Sequence, residues 1–554
     1  MKELIAGLLK DAIARAHSAG ELASASAPIV IEAPKDPAHG DAASNVALTL
    51  AKREGKPPRA IASIIQGYLQ LPPAIAEVSV AGPGFINFRM APAYWHGELR
   101  RVAAIGPDFV RPAIGQGQRV QVEFLSANPT GPLTVGHGRN AVVGDTLARM
   151  LEASGYEVTR EYYFNDGGRQ MKLLGESVRV RYLQELGREA ALPEDGYEGE
   201  YIRDIARGVK ASYGDELADK GAITLFRDAA VEAIFAEIKA TCARLKIHFD
   251  HFTNERELMD RGLIDAVLGE LGRRGLIIEK DGAVWLRGEP LGLPKDVVLV
   301  RSGETREPTY RTPDIAYHIE KLKAGYDLIV DVFGADHIAE HQQVIAAVKA
   351  LGHDTSPIRA IIYQFVTLTR AGEKVKMSTR KATYVTLDEL IDEAGGPDVV
   401  RFFFLFRKHD SQMDFDLDLA KRQAPENPVF YVQYAHARLA SVFREAASRG
   451  LELPGALSTV ELEPLGTEEI ELAKRAVGIT DVVAGAVAAL EPHRIPFYLL
   501  EVAGEFHRYY NKPANRIIGD DRGLSLARLF LARVLRDCIA GGLGLLGVSA
   551  PDRM

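Results

Sequence analysis

The sequence runs to 554 residues, far more than one hydrophobic core usually supports, so about three or four domains are expected. Hydrophobic residues make up 47% and charged residues 26%, and the net charge of -8 excludes a body that holds nucleic acid by bulk positive charge; any RNA contact has to come from basic residues gathered locally. The two cysteines, Cys242 and Cys538, lie too far apart in the chain for a zinc cluster, and neither a disulfide nor protein-bound zinc is expected, which fits a reducing cytoplasm.

The chain opens on an amphipathic helix (Leu4, Ile5, Leu8, Leu9), without the unbroken apolar run of a signal peptide. Ile29, Val30 and Ile31 make a short strand that ends near Glu32, a loop runs from Pro34 to Gly40, and an Ala-rich helix is expected from about Asp41 to Lys52. Val78, Val80 and Phe85 to Phe88 alternate as half-buried strands do, and Pro107, Pro112, Gly115 and Gly117 mark a linker. Residues 1–110 therefore read as an N-terminal α+β domain.

Residues 118–394 alternate strand and helix, which predicts a Rossmann-like parallel sheet with helices on both faces. Val120, Val122 and Phe124 form the first strand, and Val143, Leu147, Met150 and Leu151 share one face of the helix after it. Leu328 to Phe333 is a buried strand, a helix follows through Ile345, Val348 and Leu351, and Ile361 to Leu368 reads as one further strand. Between the halves lies an insertion at about 172–300, a charged helical stretch with a hairpin around Asp281-Gly282. Residues 395–554 turn helical, with helices predicted at 427–447, 467–491, 495–511 and 523–546. The most apolar stretch, 529–548, carries Arg533, Arg536 and Asp537, so no segment is expected to span a bilayer.

The chemistry concentrates in Glu123-Phe124-Leu125-Ser126-Ala127-Asn128-Pro129-Thr130-Gly131-Pro132-Leu133-Thr134-Val135-Gly136-His137-Gly138-Arg139-Asn140. It begins as a strand and ends as the first turn of a helix, whose free N–H groups and positive dipole end face the strand's C-terminal edge, an anion site. Gly136 and Gly138 allow a ligand near the backbone, and His137 is placed to donate to a phosphate oxygen. The whole string resembles the HIGH signature of class I aminoacyl-tRNA synthetases, in its arginyl form, with Thr134 standing where the first histidine of the motif would be.

Two later segments strengthen that resemblance. Gly372-Glu373-Lys374-Val375-Lys376-Met377-Ser378-Thr379-Arg380 resembles the KMSKS loop, whose cations stabilise the charge that builds on a leaving pyrophosphate. Thr379 replaces the second lysine of that motif. Gly334-Ala335-Asp336-His337 resembles the element that binds the ribose of ATP in this class. The resemblance implies catalytic roles for Thr134, His137, Lys376, Ser378 and Arg380, and ATP contacts at Gly136, Gly138, Asn140, Gly334, Asp336, His337 and Met377.

A guanidinium substrate has five N–H donors in a plane, so a selective pocket needs carboxylates and an aromatic face. Tyr310 and Asp314 stand four apart, a helical-face spacing, and with Gln343 they match arginine-binding positions of the family; Glu123 and Asn128 match those near the α-amino group and carboxylate, and the resemblance counts Ser126 too among the arginine contacts. Spacing alone does not say which acid meets which end of the substrate. Asn165-Asp166-Gly167-Gly168-x-Gln170 is a further family-like element, or a turn.

The resemblance implies ATP-dependent attachment of L-arginine to tRNA(Arg) through an arginyl-adenylate, with Mg²⁺ arriving on ATP, in a cytoplasmic monomer. Residues 36–58 look like the family's own N-terminal domain, and 395–554 like its helical anticodon-binding domain. Phe506-His507-Arg508-Tyr509-Tyr510-Asn511-Lys512 is either a stacking surface for unpaired bases or a buried aromatic helix face. A cysteinyl enzyme would need zinc-binding cysteines, and a nucleotidyltransferase acting without tRNA would not need the long helical C-terminal part.

Overall fold

A computed structural model describes residues 1–34, 36–219, 222–303, 306–375 and 385–554. The chain forms two compact units, Met1–Gly106 with Leu439–Gly478 and Glu505–Asp537, and Pro107–Arg438 with Ile479–Gly504 and Cys538–Met554.

In the first unit, helix α1 (Lys2–Ser18) buries Ile5, Leu9, Ala12, Ile13 and Ala16, the spacing of one apolar stripe. A four-stranded antiparallel sheet has the order β1-β2-β4-β3, from β1 (Ile31–Glu32), β2 (Ala42–Ser44), β3 (Ile75–Ala81) and β4 (Phe85–Met90). Helices α2 (Val46–Glu54), α3 (Pro58–Gly67) and α4 (Pro92–Ile105) complete this part. The helix expected from Asp41 starts later, at Val46. Ala42 and Ser44 turn inward and pair with β4, and Asp41 fixes that start by accepting from the Met90 N–H at 2.7 Å. The helix Thr467–Val477 brings Lys474 within 2.6 Å of Asp41 and over the Trp95 ring. The inward turn of Phe506, His507 and Tyr509 makes them core, while Arg508, Asn511 and Lys512 are exposed.

The second unit holds a five-stranded parallel sheet. Its chain order is β5 (Arg119–Glu123), α5 (Val135–Ala153), β6 (Glu157–Phe164), α6 (Gly168–Glu185), α7 (Glu200–Tyr213), α8 (Ile223–Arg244) and β7 (His251–Asn254). Helices α9 (Glu255–Asp260) and α10 (Leu263–Arg273) follow, then an antiparallel sheet of β8 (Ile277–Lys280), β9 (Ala283–Leu286) and β10 (Val297–Val300). Asp281 and Gly282 turn that hairpin with φ of 53° and 73°, as a two-residue turn matched to strand twist requires. The chain then returns to the parallel sheet through α11 (Arg311–Lys323), β11 (Leu328–Gly334), α12 (Ile338–Ala350) and β12 (Ile358–Tyr363).

The strand order is β12-β11-β5-β6-β7, all parallel. The direction of winding reverses between β5 and β11, where open α/β sheets bind ligands. Strand β7 comes from the far end of the helical insertion, and its polar sequence, His251-Phe252-Thr253-Asn254, gives no apolar run to announce it.

The segment expected as one strand over Ile361 to Leu368 is two. β12 ends at Tyr363, and β13 (Val366–Arg370) joins a different sheet beside the strand Met413–Asp416. Arg139 fixes the break: its buried guanidinium donates to the carbonyls of Gln364 at 2.6 Å, Ser411 at 2.9 Å and Lys408 at 3.0 Å. Helices α13 (Leu387–Glu393) and α14 (Pro397–Leu405) follow. Beyond them the chain is helical, and the helix expected over 467–491 is split at Gly478 into Thr467–Val477 and Ile479–Ala489. Among the described residues no helix is long and apolar enough to cross a membrane.

Candidate active site

The reversal point places the C-terminal end of β5 opposite the first turn of α5. Leu125 and Ser126, just past β5, hold φ of 68° and 41°, a left-handed pair that costs non-glycine residues strain and is kept where function over-determines it. Asn140 pins this bend: its Oδ1 accepts from the Leu125 N–H at 2.7 Å and its Nδ2 donates to the Val332 carbonyl at 3.1 Å, tying β5 to β11.

Thr134 is the N-cap of α5. Its backbone N–H donates to His137 Nδ1 at 3.1 Å, so that nitrogen carries no proton and Nε2 keeps its hydrogen as a donor. Burial pushes the His137 ring down to about 4, so it is a neutral donor near pH 7. The two glycines beside it differ. A Cβ on Gly138 would lie 2.5 Å from Leu387 and 3.0 Å from Phe404, so this glycine lets α5 pack on α13 and α14; a Cβ on Gly136 would meet, among the described residues, only Thr134 Oγ1 at 3.8 Å.

A cavity of about 470 Å³ opens at this edge of the sheet. Its wall gathers Glu123, Ser126, Asn128, His137, Asn140, Tyr310, Asp314, Gly334 and His337. Thr134, Gly136, Gly138 and Asp336 are off the wall, on the first turn of α5 and the turn before α12. Gln343 is also off the wall, its oxygen accepting from Arg311 Nε at 2.6 Å. Lys376, Met377, Ser378 and Arg380 lie outside the described residues.

The inner wall is acidic and tightly bonded. Glu123 accepts from Ser126 Oγ at 3.0 Å and from Lys321 Nζ, which also donates to Asp331 at 2.6 Å. Burial alone would lower Lys321, but Asp331 and Glu123 hold it charged, above its usual range. His318 donates through Nδ1 to the Asp314 carbonyl at 2.7 Å and through Nε2 to Asp331 at 3.1 Å. Both partners are acceptors, so the ring is an imidazolium; burial opposes that charge, and Asp331 raises the ring above its ordinary value nonetheless. Burial pushes the Asp314 carboxyl up to about 7, against the lowering pull of His318, so a cation placed beside it would stabilise its ionised form. Tyr163 and Tyr317 stack at 4.5 Å, with Tyr163 Oη donating to Glu255 at 3.0 Å. Tyr310, 49% exposed, stands at the mouth. Acid, aromatic face and neutral donor thus share one chamber, suited to a planar cation beside a phosphorylated ligand.

Residues 104–399 match the family model described as tRNA synthetases class I (R), catalytic domain. Residues 3–90 match the arginyl tRNA synthetase N terminal domain and residues 432–554 the DALR anticodon binding domain. The arginine–tRNA ligase of Desulfotalea psychrophila is 49% identical over 95% of this chain and 94% of its own length. The chain belongs to the arginyl-tRNA synthetase family. The arginine–tRNA ligase of Salinibacter ruber is 46% identical, covering 95% of this chain and 96% of its own. The solved arginyl-tRNA synthetase of Thermus thermophilus superposes with a TM-score of 0.74 at 25% identity, over 99% of this chain and 100% of that one.

Sequence reasoning passed over six polar or aromatic residues of this arginyl-synthetase cavity: Tyr163, Glu255, Tyr317, His318, Asp331 and His341 all line it. Two signals were present. Tyr317 and His318 follow Asp314 by three and four residues, on the same helix face, and Asp331 is a charge inside the apolar strand Leu328 to Phe333. Asn165 turns out to do both things its segment suggested: its Oδ1 accepts from the Gly167 N–H at 2.7 Å in a turn, while it also lines the cavity.

Proposed function

We propose that this chain joins L-arginine to tRNA(Arg) at the expense of ATP, through an arginyl-adenylate. The observation that carries the reading is that one cavity gathers His137, from the first turn of α5, with Asp314, Glu123 and Tyr310. The arginine carboxylate attacks the α-phosphorus of ATP; the new O–P bond forms as the bond to the β-phosphate oxygen breaks, and pyrophosphate leaves. A ribose hydroxyl of the terminal adenosine then attacks the arginyl carbonyl, its proton is lost, and AMP departs. Little acid–base chemistry is needed, so positioning and charge stabilisation carry the rate.

In this reading His137 Nε2–H and the free N–H groups of α5 meet the phosphates. Asp314 pairs with the guanidinium under the ring of Tyr310, and Ser126 and Asn128 hold the amino and carboxylate end. Gly334, Asp336 and His337 take the ribose. Lys376, Ser378 and Arg380 are assigned to stabilising the leaving pyrophosphate, and Met377 to ATP binding. Mg²⁺ enters as part of the nucleotide substrate. The domain assignment follows the sequence reading: 1–110 against the tRNA body, 118–394 catalytic, 395–554 against the anticodon, in a cytoplasmic monomer.

The test is pyrophosphate exchange into ATP with each amino acid, with and without tRNA. Exchange with arginine alone among the amino acids supports the reading, and exchange with another amino acid, or none under any condition, removes it.

A further inference from the structure

Three side chains of the inner wall converge. His318 Nε2 lies 3.1 Å from Asp331 Oδ2, His341 Nε2 lies 3.4 Å from the same oxygen, and the three donors sit within 4.8 Å of one another. Ligand atoms about 2.0–2.1 Å from a tetrahedral ion stand roughly 3.3 Å apart, so the two edges to Asp331 already match, and the third lies within the 4.8 Å spread of the set.

The surroundings are those of a ligand set. His318 Nδ1 is fixed on the Asp314 carbonyl at 2.7 Å, the outer bond that sets the tautomer of a metal-bound imidazole and leaves Nε2 for the ion. Asp331 has its other oxygen held by Lys321 Nζ at 2.6 Å, which aims Oδ2 at the two histidines. The His341 Nε2 atom is buried and, among the described residues, makes no hydrogen bond of good geometry, its approach to Asp331 Oδ2 being a long 3.4 Å, so an ion would supply a better partner. All three residues line the open cavity, from which a fourth ligand could reach the ion. Lys321 weakens the hold on any dication, and two imidazoles with one carboxylate select a zinc-type ion over Mg²⁺. The earlier expectation of no bound zinc rested on the cysteines, and this donor set contains no sulfur.

We propose that His318, Asp331 and His341 form a binding site for a divalent transition-metal ion of the zinc class on the inner wall of the cavity. The ion takes the place of the proton on His318 Nε2. Asp314 lies beside it on the same wall, so bound ion and bound guanidinium exclude one another; that exclusion, unlike the site itself, rests on the arginine-pocket reading above.

The experiment is calorimetric titration of Zn²⁺ into the full-length chain in a buffer containing Mg²⁺, repeated with saturating arginine, with the visible spectrum of Co²⁺ as a second readout. Expected are one ion bound, a visible band of nitrogen ligation, a loss of at least about 100-fold in affinity in His341→Ala, more than outer-shell changes cause, and no change in His337→Ala. Should His341→Ala fail to fold, His341→Gln and the wild-type Co²⁺ spectrum decide. No Zn²⁺ binding, equal affinity in the His341 variant, loss in His337→Ala instead, or an all-oxygen Co²⁺ spectrum overturns the site. Zn²⁺ binding that depends on His341 yet ignores arginine upholds the site and counts against the arginine pocket.

Discussion

Lys321 stands 2.6 Å from Asp331 and bonds Glu123 with the same ammonium group, so one buried cation holds two strands, β11 and β5, at the back of the cavity. Removing it takes the cation from part-buried Glu123 and leaves buried Asp331 to the His318 imidazolium alone. Lys321→Met is expected to lose about 3–5 kcal/mol of stability, read as a lowered midpoint in urea unfolding. A midpoint equal to wild type would mean that the carboxylates find water instead.

Asp314→Asn removes the charge but keeps the shape. Arginine KM is expected to rise by the equivalent of about 1.5–3 kcal/mol, roughly 10- to 150-fold, while the KM for ATP changes little. Steady-state exchange kinetics with each substrate varied in turn checks this, and an unchanged arginine KM would take Asp314 out of the pocket.

His137 predicts an acid limb of stability. Its folded value near 4 lies below its unfolded value near 6.5, so between these the unfolded chain binds the extra proton and stability falls as the pH is lowered. The contribution is on the order of 2–3 kcal/mol. In His137→Gln the fall in unfolding free energy from pH 6.5 to pH 4 should shrink by that amount; an identical slope in the two proteins would place the ring in water.

The glycines of the α5 turn should respond differently to one added methyl. Gly138→Ala drives a Cβ into Leu387 and Phe404 and should lower stability by about 1–3 kcal/mol, measured as a shifted melting temperature. Gly136→Ala comes no closer than 3.8 Å to any described residue outside its own helix and should melt within experimental error of wild type.

Arg401 and Asp145 pair at 2.6 Å with neither side chain exposed to solvent, and Arg401 also serves the Leu546 and Leu245 carbonyls. Arg401→Met strands a buried carboxylate, though Arg149 at 2.7 Å remains to it. The expected loss is about 3–5 kcal/mol in denaturant unfolding.

Much of this was legible in the residues. The α/β class follows from apolar strands such as Leu328 to Phe333 alternating with helical faces, and the strand-to-helix segment from Glu123 to Asn140 located one half of the cavity. What escaped reading has physical causes. β7 is polar and borrowed from the insertion, so no periodicity marks it. β12 and β13 look like one apolar run until Arg139, more than two hundred residues earlier in the chain, takes the Gln364 carbonyl. His318 and His341 reach Asp331 from the two helices that flank its strand, α11 and α12, and only the packing of those helices on β11, not a residue spacing, brings them together.

The place of β5 in the parallel sheet has a kinetic consequence. Its two neighbours are β6, which follows almost at once, and β11, whose Leu328 pairs with Val120 across most of the catalytic segment. Half the sheet can therefore zip early, but the edge of β5 that becomes the cavity floor stays unpaired until β11 has been synthesised. Late loop closure of this kind is slow and leaves one backbone edge of β5 unpaired meanwhile. A nascent chain arrested before residue 334 would present that strand to its neighbours, a natural client for a chaperone.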